Sequence, residues 1–197
     1  MTTKLEAVNQ MFTGIGQAPV VSLDASNPEI ASAIAILETV NREVQSEGWH
    51  FNTEVNYPFT ADNSGNIQVP STVLQISDNK MSNVQRYQTV IRDGKLYDKV
   101  NHTFTFSGQV LCDVVWLFDF EDVPAVFAQY ITQRAARVFA GRVQGSEAMV
   151  QFNSQDEALL RANCIAYDTN TSEANVFGLE TGQNFYISYT PFRTIAR

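Results

Sequence analysis

The sequence predicts an α+β protein, a helical bundle made from N-terminal and C-terminal helices with a small β-module inserted between them. Three observations predict it. Apolar residues recur at helical spacing through the first 48 residues, alternate with a period of two from Trp49 to about residue 120, and return to helical spacing after Pro124. The expected organisation is a discontinuous helical domain over 1–48 and 121–168, an inserted β-rich domain over 49–120, and a C-terminal arm over 169–197. A chain of 197 residues can bury a real core in such a layout.

Each element has its own signal. Leu5, Val8, Met11, Phe12 and Ile15 share a helical face, and Gly14-Ile15-Gly16 stops that short helix. Val20, Val21 and Leu23 form a brief apolar stretch after Pro19. Asn27 suits an N-cap, Pro28 the first helical position, and Glu29 the positive end of the helix dipole. Ile30, Ile34, Leu37, Val40 and Val44 then line one face of a helix of about 21 residues that Gly48 should end. From Trp49 the chain alternates through Phe51, Thr53 and Val55. Ile67, Val69, Val73, Leu74 and Ile76 read as short strands around Pro70, and Asp93-Gly94 turns a two-strand ribbon over 88–98. Thr103 to Phe106 alternates again, and 110–120 reads as a central strand, for about six strands in all.

Helix signals resume at Pro124, with Phe127, Tyr130, Ile131, Ala135 and Val138 on one face up to Gly141. Ser146 can cap a further helix whose apolar residues include Met149, Phe152, Leu159, Leu160, Cys164 and Tyr167. Ser154 and Glu157 match a capping box, which predicts a break near residue 153. The last 29 residues carry five aromatics, among them Phe185, Tyr186, Tyr189 and Phe192, against four charged residues. That composition fits a docked strand or an arm laid on a neighbouring subunit better than a solvated tail.

Charge and composition exclude several classes. A net charge of −8 argues against a protein that wraps phosphate backbones. Two cysteines are too few for a disulfide scaffold or a zinc site. Neither a basic-then-apolar leader nor an apolar run long enough for a bilayer is visible, which predicts a soluble protein made in a cytoplasm. There is no glycine-rich phosphate loop, no nucleophile elbow and no zinc-binding histidine pair, so no catalytic residue, metal or cofactor is predicted. Cys112 and Cys164 read as buried small hydrophobes. Asp113, Asp119, Glu121 and Asp122 could furnish paired carboxylates for glycoside hydrolysis, but their simpler role is to cap and charge-match a helix N-terminus. Arg134, Arg137 and Arg142 form the one basic concentration, suited to ion pairs between subunits.

Ile15-Gly16-Gln17-Ala18-Pro19-Val20, Asn41-Arg42-Glu43-Val44-Gln45 and Gly48-Trp49-His50-Phe51-Asn52 together resemble the tail tubular protein A family of short-tailed phages. The similarity continues more loosely through 92–98, Phe118-Asp119 and the helix after Pro124, over about residues 5 to 168. The β insert and the arm match the family poorly, where contacts with partners would diversify. The resemblance implies a structural virion protein assembled in the host cytoplasm. It implies a ring of twelve copies below the portal protein, joined to the tail nozzle protein, helping to seat the tail fibres and leaving a channel for genomic DNA. The alternative is a carboxylate-based polysaccharide-cleaving tail component. The interaction candidates are Phe185, Tyr186, Tyr189 and Phe192 of the arm with Arg134 and Arg137.

Overall fold

A computed structural model describes residues 2–78, 87–143 and 147–172. Within these the fold is α+β, with four helices, α1 Lys4–Gly14, α2 Pro28–Gln45, α3 Ala125–Val143 and α4 Glu147–Thr171, and five strands, β1 Thr53–Thr60, β2 Val73–Asp78, β3 Thr89–Arg92, β4 Lys95–Asp98 and β5 Gln109–Trp116.

Local chemistry sets the first two helices. Thr3 and Glu6 form a reciprocal capping box at the start of α1, satisfying two backbone donors that the helix itself leaves free. Asn27 caps α2 by accepting from the Glu29 N–H, with Pro28 at the first position. The second helix ends at Gln45, earlier than Gly48, which sits just beyond at φ +75°. Its buried face also differs from the apolar pattern. Ile34 is only partly buried, whereas Ile36 and the polar Asn41 and Gln45 are buried.

The helices α1, α2 and α3 pack one core. Val8, Met11 and Phe12 meet Leu37, Val40 and Val44 and the α3 face of Phe127, Ile131, Ala135 and Phe139. Phe12 and Phe139 pack edge to face at 5.6 Å between ring centres. On α3, Phe139 is buried and Val138 only partly so, and the helix runs two residues past Gly141. Helix α4 lies along α3 and is continuous through residue 153. The break expected there does not occur, because Ser154 and Glu157 sit inside an unbroken hydrogen-bonded helix. The Ser146 cap lies outside the described residues.

A second core belongs to the strands. Strand β5 is central in an antiparallel sheet of order β1-β5-β2, burying Val110, Cys112 and Val114 on alternate positions. Strands β3 and β4 form the separate ribbon, turned at Asp93 and Gly94, whose φ values of 50° and 70° fit a tight hairpin turn. Two expected strands are absent among the described residues. Residues 103–106 contribute one bridge, Thr103 to Asp98, and 67–69 contribute one, Gln68 to Lys95. The alternation from Trp49 begins as a single helical turn over His50–Asn52, and β1 starts only at Thr53.

Candidate interaction surface

The two cores meet at a buried polar joint. Gln45 is fully buried at the end of α2, and its side chain faces the backbone of Phe118 as the chain leaves β5. The Gln45 Oε1 accepts from the Phe118 N–H at 2.8 Å, while its Nε2 donates to the Phe118 carbonyl and to Asn41 Oδ1, each at 2.8 Å. Asn41 adds a bond from Nδ2 to the same carbonyl. Asn52 closes the joint, donating to the carbonyls of Gln45 and Trp116 and accepting from the Trp49 N–H. The Trp49 indole donates to the Val44 carbonyl, and its ring packs on Phe127. The residues Asn41, Gln45, Trp49 and Asn52 thus supply hydrogen-bond partners for backbone that neither helix nor sheet satisfies. Their pattern was visible in the sequence, but their role was not.

Beside the joint lies a groove of about 630 Å³ between α1, α2 and residues 117–120. Phe118 is half-exposed in it, and Lys4, Glu38, Arg42 and Asp119 give it mixed charge. Lys4 pairs with Glu38 at 3.6 Å, an open contact that holds little energy.

Of the carboxylates considered for catalysis, Asp113 and Glu121 are engaged by different elements, while Asp119 and Asp122 are exposed. Asp113 accepts from the Asn56 N–H at a bulge in β1, where Asn56 adopts φ 61°. Glu121 accepts from the Lys4 N–H and so serves the N-terminus of α1, not the helix that follows it in sequence. Asp119 begins a single helical turn over Phe120–Asp122 without a side-chain cap bond. Among the described residues no three His, Cys, Asp or Glu side chains gather as a metal site would require.

The arginines on α3 make pairs within the chain. Arg134 bonds Glu43 at 3.0 Å and the Tyr130 hydroxyl at 3.2 Å, and it lies 4.0 Å from Glu47. Burial works against its charge, but the Tyr130 hydroxyl and the Glu43 and Glu157 carboxylates outweigh burial and raise its pKa. Arg161 of α4 holds Glu47 through two bonds of 2.9 Å and also donates to Tyr130, so one buried hydroxyl accepts from both arginines. Bonding to Glu47 and then to Tyr130 raises the Arg161 pKa. Arg137 pairs with Glu157, and Arg142 is exposed. The Arg137–Glu157 and Arg161–Glu47 pairs, with the buried Cys164, fasten α4 to the bundle. Leu159, assigned to that core by its spacing, instead faces outward. Phe185, Tyr186, Tyr189 and Phe192 lie outside the described residues.

No helix among the described residues is long and apolar enough to cross a membrane. A family model described as tail tubular protein matches residues 5–174. Tail tubular protein A of Klebsiella phage KP34 is 28% identical over 155 residues, covering 78% of this chain and 81% of that protein. The match runs through both cores and the joint between them, and the chain therefore belongs to the tail tubular protein family, as a structural protein of the phage virion tail.

Proposed function

We propose that the protein is the adaptor of a short-tailed phage, a ring that joins the portal protein to the tail nozzle protein and helps seat the tail fibres. The observation that carries this reading is the family match across residues 5–174, which includes both helical segments and the strands between them. The helical segments of 1–48 and 121–168 form one domain, the wall of a ring of twelve copies. The strands of 49–120 form a second domain that faces nozzle and fibres. Ring closure joins the front of each copy to the back of the next, a heterologous contact that closes by rotation.

The arm carrying Phe185, Tyr186, Tyr189 and Phe192 reaches the portal or an adjacent copy, with its aromatics as anchors. Arg134 and Arg137 line the side of the bundle from which subunit contacts are made. Twelve copies at −8 carry a formal charge of −96, and an acidic lumen repels DNA phosphates so that the genome slides without sticking. The chain assembles in the host cytoplasm and acts by assembly, without turnover. Removal of residues 173–197 tests the arm directly. Portal binding should fall at least tenfold in a pull-down with purified portal, and unchanged binding would detach the arm from this role.

A further inference from the structure

Helix α4 is apolar on two sides. Its inner side seats Leu160 and Cys164 against α3, and Tyr167 packs edge to face on Phe127. Its outer side carries Ala158, Leu159, Ala162, Ile165 and Ala166, all exposed, between Gln155 and Thr169. At about 100° per residue these positions span an arc of about 120° that holds no charge. Leu159 is 64% exposed and Ile165 49%. A stripe that wide is what a core-facing helix presents, and here the described chain leaves it uncovered.

The stripe is self-complementary. Leu159 and Ile165 stand three residues to either side of Ala162, and Ala158 and Ala166 stand four to either side. If a second α4 lies antiparallel on the first, Ile165 of each copy faces Ala158 of the other, and Leu159 faces Ala166. Each large side chain then enters the space above an alanine, as ridges enter grooves between packed helices. A parallel pair in register would instead set Leu159 level with Leu159 and Ile165 level with Ile165. Opposed helix dipoles also favour the antiparallel arrangement.

We infer that the free chain pairs with a second copy through the outer face of α4, antiparallel about Ala162. The contact is isologous and closed, so it cannot propagate around a ring. It describes the chain before assembly and stands independently of the ring reading. The paired stretch is about 21 Å long at 1.5 Å per residue, too short to bury the roughly 800 Å² per partner of a stable complex, so the pair is weak and reversible.

Disulfide trapping tests it. Purified full-length Leu159→Cys and Ala166→Cys chains are mixed and oxidised, with the parent as background, since its Cys112 and Cys164 are buried. The mixture should cross-link between unlike chains, whereas each variant alone should not, because its own cysteines lie about 10 Å apart along the paired helices. Ile165→Glu in both chains should reduce the cross-linked fraction at least tenfold. The parent should rise from one-chain towards two-chain mass by light scattering between about 10 μM and 1 mM, more readily with added salt, which screens two copies of like charge.

A mixture that fails to cross-link while the parent keeps one-chain mass at 1 mM overturns the inference. Preferential cross-linking of Leu159→Cys to itself overturns the antiparallel register. Pairing that occurs only after removal of residues 173–197 assigns the face to the arm and overturns it as well.

Discussion

Replacing Gln45 with Met keeps length and volume while deleting the side chain's own hydrogen bonds at the joint between the two cores. The side chain is fully buried and makes three hydrogen bonds of 2.8 Å. The Phe118 carbonyl keeps a bond from Asn41 Nδ2, but the Phe118 N–H and Asn41 Oδ1 lose their bonds to Gln45. A buried donor without a partner costs about 1–3 kcal/mol, and the weakened Asn41 interaction adds to it. Removing the glutamine's own desolvation cost returns part of this, so Gln45→Met should destabilise by about 2–4 kcal/mol. In a domain of this size the melting temperature falls by about 5–15 °C. Urea unfolding followed by tryptophan fluorescence is the natural assay, because Trp49 lies in the helical core and Trp116 beside the strand core. Gln75→Ala is the control, since that exposed side chain makes a single bond to the Ser46 carbonyl. It should cost less than about 0.5 kcal/mol. A Gln45→Met variant within about 0.5 kcal/mol of the parent would refute the joint as a source of stability.

Other sites give equally definite expectations. Asp98 is fully buried, and although burial works to raise its pKa, the N–H groups of Val100, Gln88 and Asn101 and the Asn101 amide outweigh it and hold the carboxyl below the usual range. A lowered folded pKa contributes stability above the unfolded value of about 3.9, and that stability is lost as pH falls through the folded value. Urea titrations from pH 7 to pH 2 should therefore show less acid-dependent loss for Asp98→Asn than for the parent, with the variant about 2 kcal/mol weaker at pH 7. Gly65→Ala should cost about 1–3 kcal/mol by the same assay, because the residue adopts φ +79° and a Cβ would meet Thr105 Cγ2 at 2.5 Å. Burial pushes the Cys164 thiol up to about 11, so a thiol reagent at pH 8 should leave it unmodified in the folded chain and label it in urea. Arg161→Met should weaken the attachment of α4 by no more than about 1 kcal/mol in urea unfolding, since the side chain is 44% exposed and its charge is screened by water.

The helices and the ribbon were legible where local chemistry decides. Asn27-Pro28 marked the start of α2, and Asp93-Gly94 marked the hairpin, because caps and tight turns depend on a few adjacent residues. The joint was not legible. Gln45 and Phe118 are 73 residues apart, and a polar residue on a helix reads as surface until the backbone that needs it is known. The capping box at Ser154 was a false stop, because the same residue types also fit a helix interior when neighbouring turns continue. Leu159 looked like core for a related reason. Periodicity identifies apolar residues, and α4 has two apolar faces of which only one meets α3. Strands over 67–69 and 103–106 were overcounted because alternation records which side chains are buried, while a strand also needs a partner for its backbone.

An adaptor ring fixes both the mass and the shape of the chain bound to its portal. Light scattering of the purified protein with purified portal, together with electron-microscope images of the mixture, should show about twelve copies closed into a ring on the portal. A chain that ignores the portal at concentrations above about 10 μM, where a specific interface of standard size should be occupied, would contradict it.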